Sequence, residues 1–116
     1  MKVKEEKLIQ FKTGAKRSSR TGKGRYDLIS PIALRRLSKV YEQGAEQKGD
    51  RNWEKGFEMS RSIDSALRHI NQYREGFRDE DHIAQACWNL FACIHFEEQI
   101  EKGRLSKNFN DLPKYI

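Results

Sequence analysis

The segment from Asp79 to Glu101 constrains the fold more than any other part of the chain. Ile83, Cys87, Leu90 and Ile94 recur at helical spacing on one stripe, and Ala84, Trp88 and Phe91 lie on the next. The pattern predicts a helix apolar on two faces, which has to sit at the centre of whatever it folds with. Asp79, Glu80 and Asp81 open it, where acidic groups suit the positive end of the helix dipole, and Gly103 closes it. A chain of 116 residues fits one compact domain and leaves no room for two. So few remaining elements cannot cover two apolar faces, and a homo-oligomer is expected.

The flanking segments supply the rest of a small bundle. Ser30-Pro31 reads as an N-cap followed by proline at the first helical position, and Leu34, Leu37 and Tyr41 continue at helical spacing, which predicts a first helix over 31–47. Gly49 to Gly56 is a polar turn carrying Asn52 and Trp53, the tryptophan being either a lid on a core edge or a stacking surface. After Ser60, the residues Ile63, Ala66, Leu67 and Ile70 mark the apolar face of a second helix ending at Gly76, with Arg61, Asp64, Arg68 and His69 on its flanks. No segment has a convincing strand period, so the expected fold is all-α: about three main helices over 30–103, a basic leader over 1–29, and a tail over 104–116 that docks Phe109, Leu112 and Tyr115 on the body or on a neighbouring subunit. Cys87 and Cys93 fall six apart, about 120° around one helix, and are expected as reduced core residues rather than a disulfide.

The charge is unevenly spread. Of the net +6, the first 25 residues hold nine Lys or Arg against Glu5 and Glu6, whereas the remainder is close to neutral. Within that leader Thr13-Gly14-Ala15-Lys16-Arg17 and Gly22-Lys23-Gly24-Arg25 combine flexible glycines with cations, a composition suited to phosphate, although a solubilising tail has the same composition. A neutral body offers no extended basic groove, which argues against a nucleic-acid partner. Neither an apolar run near the ~20 residues of a membrane span nor a secretory signal is evident, so no membrane partner and a cytoplasmic location are expected.

Chemistry is expected where helices bring polar groups together. His82, Gln85 and Asn89 form a polar stripe on the third helix, and burying them without partners would cost several kcal/mol. Arg68 and His69 on the second helix are the nearest suppliers of company, with Glu42 and Glu46 on the first. Such a cleft would bring carboxylates, imidazoles and a guanidinium together, and a divalent ion held by carboxylates, Glu46 and Asp81 foremost, with Glu80 and His82 as further donors, would neutralise a phosphate chain there. Each group also has a plainer reading: a solvated face for Glu42 and Glu46, a helix cap for the three acids, and satisfied polar contacts for the histidines. No Ser/His/Asp arrangement, CxxC pair or zinc spacing is present, so neither nucleophilic catalysis nor a structural zinc site is expected.

As an ordered set these residues resemble a known family. Thr13-Gly14-Ala15 with Arg17, Gly22-Lys23-Gly24-Arg25-Tyr26-Asp27-Leu28-Ile29, Gly49-Asp50-Arg51-Asn52-Trp53-Glu54-Lys55-Gly56, Ser65-Ala66-Leu67-Arg68-His69, and Asp81-His82-Ile83-Ala84 with Trp88-Asn89 are similar to the N-terminal domain of phage dATP/dGTP diphosphohydrolases. The resemblance runs from about Phe11 to Glu98. It implies a helical nucleotide-handling protein of phage origin, related to the all-α nucleoside triphosphate pyrophosphohydrolases, which use carboxylate-bound Mg²⁺ to cleave between the α- and β-phosphates. On that reading Glu46, Asp81 and His82 are catalytic, Mg²⁺ or Mn²⁺ is the cofactor, and a purine nucleotide is held by Thr13, Gly14, Arg17, Lys23, Arg25, Asn52, Trp53, Arg68, His69 and Asn89. Where the wider superfamily has Glu-x-x-Asp, this chain has His82 and Gln85. The alternative is therefore a protein without catalysis or cofactor, which sequesters a nucleotide or a nucleotide-derived host defence signal.

Overall fold

The computed structural model describes residues 7–116; Glu5 and Glu6 of the leader lie outside the described residues. The chain divides into two units, residues 1–30 and 31–116.

In the first unit β1 (Leu8–Gln10) pairs antiparallel with β2 (Lys16–Ser18), with Leu8 opposite Ser18 and Gln10 opposite Lys16. The chain is thus mostly helical rather than all-α. Three-residue strands are too short to leave a readable alternation, and the turn between them carries the information. Gly14 adopts φ +91° there, which a side chain would resist, and its N–H donates to the Phe11 carbonyl at 2.9 Å. A 3₁₀ turn at Tyr26–Leu28 follows.

The second unit holds α1 (Pro31–Lys48), α2 (Met59–Glu75) and α3 (His82–Glu101). α1 and α2 both pack on α3. The buried positions of α2 are Met59, Ser62, Ala66 and His69; those of α3 include His82, Ala86, Asn89, Cys93 and Phe96. Both sets advance by alternating steps of three and four, the spacing of a coiled-coil seam. Alanine at the middle of each set lets two antiparallel helices approach closely. One end of this seam is dry: Met59, Ala92, Cys93 and Phe96 form the core cluster, with Trp53, Phe57, Ile63, Ile100 and Leu105 packed around it. The other end is polar, with His69 against His82.

This places α3 differently from the expected arrangement. Its inward stripe is the mixed one containing His82 and Asn89, whereas Ile83, Leu90, Phe91 and Ile94 are exposed, as are Leu67 and Ile70 on α2. Cys93 is buried as expected, but Cys87 is exposed because it shares the outward stripe. Small residues decide the orientation: the alanines admit a neighbouring helix where the bulky aliphatic row would hold it away. The tail docks on the second unit's own body through Leu105, Phe109 and Asp111, whereas Leu112 and Tyr115, expected to dock with it, are exposed. Asp111 accepts from the Ser60 backbone N–H at 2.9 Å and from its hydroxyl at 2.5 Å, capping the first turn of α2, which its own N-cap residue Glu58 leaves uncapped. Leu105 and Phe109 lie against Gly56, where an added Cβ would come within 2.9 Å of Leu105.

Candidate functional site

A cleft of about 570 Å³ opens between α1, the following turn, α2 and α3. Tyr41, Gly44, Ala45 and Lys48 face it from α1, Asp50, Arg51, Asn52 and Trp53 from the turn, Phe57, Arg61 and Ser65 from beside and along α2, and Trp88 and Asn89 from α3. Its wall is a chain of rings. Tyr41, Trp53 and Trp88 contact one another with centroids 6.1–6.4 Å apart, and Phe57 lies nearly parallel to Trp88 at 6.4 Å. Gly44 and Ala45 keep the α1 side shallow. Lys48, Arg51 and Arg61 add positive charge to the same cleft, Arg51 being held by Glu54 at 2.7 Å.

The turn that presents Trp53 is built from unusual backbone. Arg51 is the one described non-glycine residue with positive φ, at +58°, between Gly49 at +93° and Gly56 at +95°. A short 3₁₀ segment, Asn52–Lys55, then lays the indole between Tyr41, Trp88 and Phe96. Asn89 is fixed from its own helix, donating from Nδ2 to the Gln85 carbonyl at 2.9 Å. Burial pushes the Tyr41 phenol up, so the hydroxyl stays protonated in this setting.

A second polar cluster lies where α2 meets α3. His69 and His82, 5% and 2% exposed, face each other with Nδ1 atoms 2.9 Å apart. His82 Nε2 is 2.8 Å from the Asp79 carboxylate, and Glu80 Oε1 is 3.9 Å from His69 Nδ1. In the neutral tautomer that donates from Nε2–H to Asp79, His82 accepts at Nδ1 from His69 Nδ1–H. Burial, with Arg68 nearby, holds the His69 imidazole below its ordinary value, and the bond from His82 holds the Asp79 carboxyl low.

The expected site residues therefore fall in several places. Asn52, Trp53 and Asn89 meet in the cleft. His69 and His82 meet at the other end of the seam. Arg68 is exposed on α2 and bonds Gln72 at 3.5 Å. Asp81 accepts a two-pronged bond from Arg36, at 2.9 and 2.6 Å, and also caps Ala84 N–H at the start of α3; the Arg36 bond holds its carboxyl below the usual range. Glu46 is exposed on α1 and is not among the residues that face the cleft. Glu46 and Asp81 thus lie in different settings, the first exposed on α1 and the second engaged by Arg36 and the start of α3. Among the described residues the group of metal-capable side chains within mutual reach is His69, Glu80 and His82. Thr13, Gly14, Arg17, Lys23 and Arg25 belong to the first unit: Thr13 and Gly14 in its hairpin turn, Arg17 on β2, Lys23 in a turn closed on Arg20, and Arg25 in a two-pronged pair with Asp27 at 2.8 and 2.9 Å.

A family model for dATP/dGTP diphosphohydrolase, N-terminal, matches residues 13–105. The chain belongs to this family. The match takes in the whole ring of cleft residues and both histidines of the seam. No curated protein and no solved structure matches the chain.

Sequence reasoning missed Tyr41, Lys48, Phe57, Arg61 and Trp88 as cleft residues. Tyr41 and Trp88 fall on apolar stripes, and a ring that closes a core edge follows the same period as one that lines a cleft. The available signal was the Gly49–Gly56 turn, whose two glycines and Trp53 mark a rigid aromatic presentation.

Proposed function

We propose that this dATP/dGTP diphosphohydrolase-family chain binds a purine deoxynucleoside triphosphate in the aromatic cleft. The observation that carries the reading is the convergence of Tyr41, Trp53 and Trp88 with Lys48, Arg51 and Arg61 around one cavity. Base faces stack on aromatic rings and phosphates take charge-assisted bonds from Lys and Arg, so the two halves of a nucleotide find complementary walls. Asn89, its amide oriented by the Gln85 carbonyl, supplies the hydrogen-bonding group for a base edge.

The family name supports a hydrolase-related role. A Mg²⁺- or Mn²⁺-dependent step at Glu46 and Asp81 finds little support, because Asp81 is engaged by Arg36 and the α3 cap and Glu46 is not among the residues that line the cleft. Binding without turnover is the reading favoured by this arrangement. Incubation with a nucleotide panel, with and without Mg²⁺ or Mn²⁺ and resolved by chromatography, is expected to return intact nucleotide, while tryptophan fluorescence reports binding. Arg61→Ala and Lys48→Ala are each expected to weaken affinity by about 1.5–3 kcal/mol, the worth of a charge-assisted bond. Turnover would restore the catalytic reading, and a panel that leaves the fluorescence unchanged would remove the cleft from consideration.

The exposed row Ile83, Leu90, Phe91 and Ile94 on α3 is the surface we assign to a homo-oligomer, with a second copy covering it. Light scattering at micromolar concentration is expected to give a multiple of the chain mass; a monomer contradicts the assignment. No helix among the described residues is long and apolar enough to cross a membrane.

A further inference from the structure

We propose that His69, Glu80 and His82 form a binding site for a first-row transition-metal ion of the Zn²⁺ type, separate from the nucleotide cleft. The ligand atoms all lie within 4.8 Å of one another. Two imidazole nitrogens bound to one Zn²⁺ at about 2.0–2.1 Å each are held roughly 3.3 Å apart in a tetrahedral site. The Nδ1 atoms of His69 and His82 stand 2.9 Å apart, and Glu80 Oε1 is 3.9 Å from His69 Nδ1. Small movements of opposite sense, the nitrogens opening and the carboxylate closing, therefore complete three ligand positions.

The surroundings suit a metal better than they suit the contact as it stands. Asp79 accepts from His82 Nε2–H at 2.8 Å, the carboxylate support that orients a metal-bound histidine and aims its other nitrogen at the ion. Two buried imidazoles facing each other through the same nitrogen share a single hydrogen. With an ion present, that hydrogen leaves His69 Nδ1 and His69 takes one up at Nε2, so both Nδ1 lone pairs point at the metal and each ring stays neutral. The Glu80 side chain is 45% exposed, which gives the ion a way in and leaves a coordination position open to water. Two nitrogen donors favour Zn²⁺ or its neighbours over Mg²⁺, which prefers oxygen. Position 82 lies seven residues, roughly 10 Å of helix, before the cleft residue Asn89. The ion thus clips the end of α2 to the start of α3 and does not depend on nucleotide.

The test uses Zn²⁺ alone on the metal-stripped full chain, read by calorimetry, together with the visible spectrum of the Co²⁺-substituted protein. One Zn²⁺ per chain at micromolar concentration, a raised melting temperature and no response to equimolar Mg²⁺ are expected. Glu80→Gln and His69→Gln should each weaken Zn²⁺ binding at least tenfold, and Asp79→Asn by about 10–100-fold through loss of the supporting bond. Glu80 and Asp79 are exposed, so those variants keep the test open if a histidine variant fails to fold. The proposal is overturned if Zn²⁺ does not bind at micromolar concentration, if Glu80→Gln and Asp79→Asn bind it as tightly as the wild type, or if Co²⁺ shows a sulfur-to-metal charge-transfer band pointing to Cys87. None of these readouts involves nucleotide, so failure here leaves the cleft reading standing and failure of the cleft leaves this one.

Discussion

The two ends of the α2–α3 seam solve the same packing problem with opposite chemistry. At one end Phe96 is fully buried among Met59, Ala92 and Cys93, with Trp53 and Phe57 rings at 6.3 and 5.0 Å. At the other, the equivalent inward positions are His69 and His82, and the acids of the connecting loop gather around them. The dry end gains from area removed from water and from dispersion, neither of which depends on a particular partner atom. The histidine end gains little from area and depends on each nitrogen having the right neighbour. Stability in this small domain is therefore concentrated at the dry end, and the polar end is free to carry a specific interaction.

Truncation at the dry end is expected to have the largest effect. Phe96→Ala should cost about 3–5 kcal/mol in urea unfolding, since a buried ring leaves a cavity that its rigid aromatic neighbours cannot close. A loss under 1 kcal/mol would mean that the two ends do not differ in the way described. His82→Leu should cost less, about 1–3 kcal/mol, because it keeps the volume but leaves the His69 hydrogen unpaired. The double change His69→Leu with His82→Leu separates the two chemistries further: removing both partners is expected to recover much of that loss while abolishing the Zn²⁺ response. If the double variant is as unstable as the sum of the singles, the two histidines are uncoupled and an unpaired hydrogen does not account for the loss.

The same contrast explains what could be read from the chain before folding. The three helices and most of their ends were legible, because Ser30-Pro31, Gly76, Gly103 and the apolar periods are local signals, but α3 starts at His82 rather than Asp79 and leaves Asp79 and Glu80 in the loop before it. Which face of α3 points inward was not. Ile83, Leu90 and Ile94 read as the core face by hydropathy, yet the alanines at 84, 86 and 92 determine where a neighbour can approach. That choice is made between helices, and no single helix records it. The polar stripe needs partners, and His69 is the partner of His82, but Asn89, two turns further along the same seam, faces the cleft instead. Asp81 does cap the start of α3, one of its two readings, but its ion pair left no local signal because Arg36 lies 45 residues away in sequence.

A smaller effect is expected at the margin of the polar end. Arg36 and Asp81 are both solvent-accessible, so Arg36→Ala should cost little despite its two short bonds. Asp81→Ala also loses the cap on Ala84 N–H and should cost more, about 1–2 kcal/mol. Urea unfolding of the two variants side by side orders the contributions; equal losses would show that the cap adds nothing to the ion pair.

The smallest effect belongs to the dry end's own polar fastening. Asp111 caps α2 through Ser60, and those two bonds hold its carboxyl below the ordinary value of 3.8. A carboxyl whose folded value is depressed adds stability that is fully present above its unfolded value and is lost as pH falls through the folded one. Wild type and Asp111→Asn should therefore differ in melting temperature at neutral pH and converge as the pH drops below 3.8. An amide can still accept from the Ser60 N–H, so the neutral-pH difference is small and its disappearance in acid is the diagnostic part. A difference that persists unchanged through the acid range would mean that the tail is held by Leu105 and Phe109 against Gly56 and that the carboxylate cap contributes nothing to the docking.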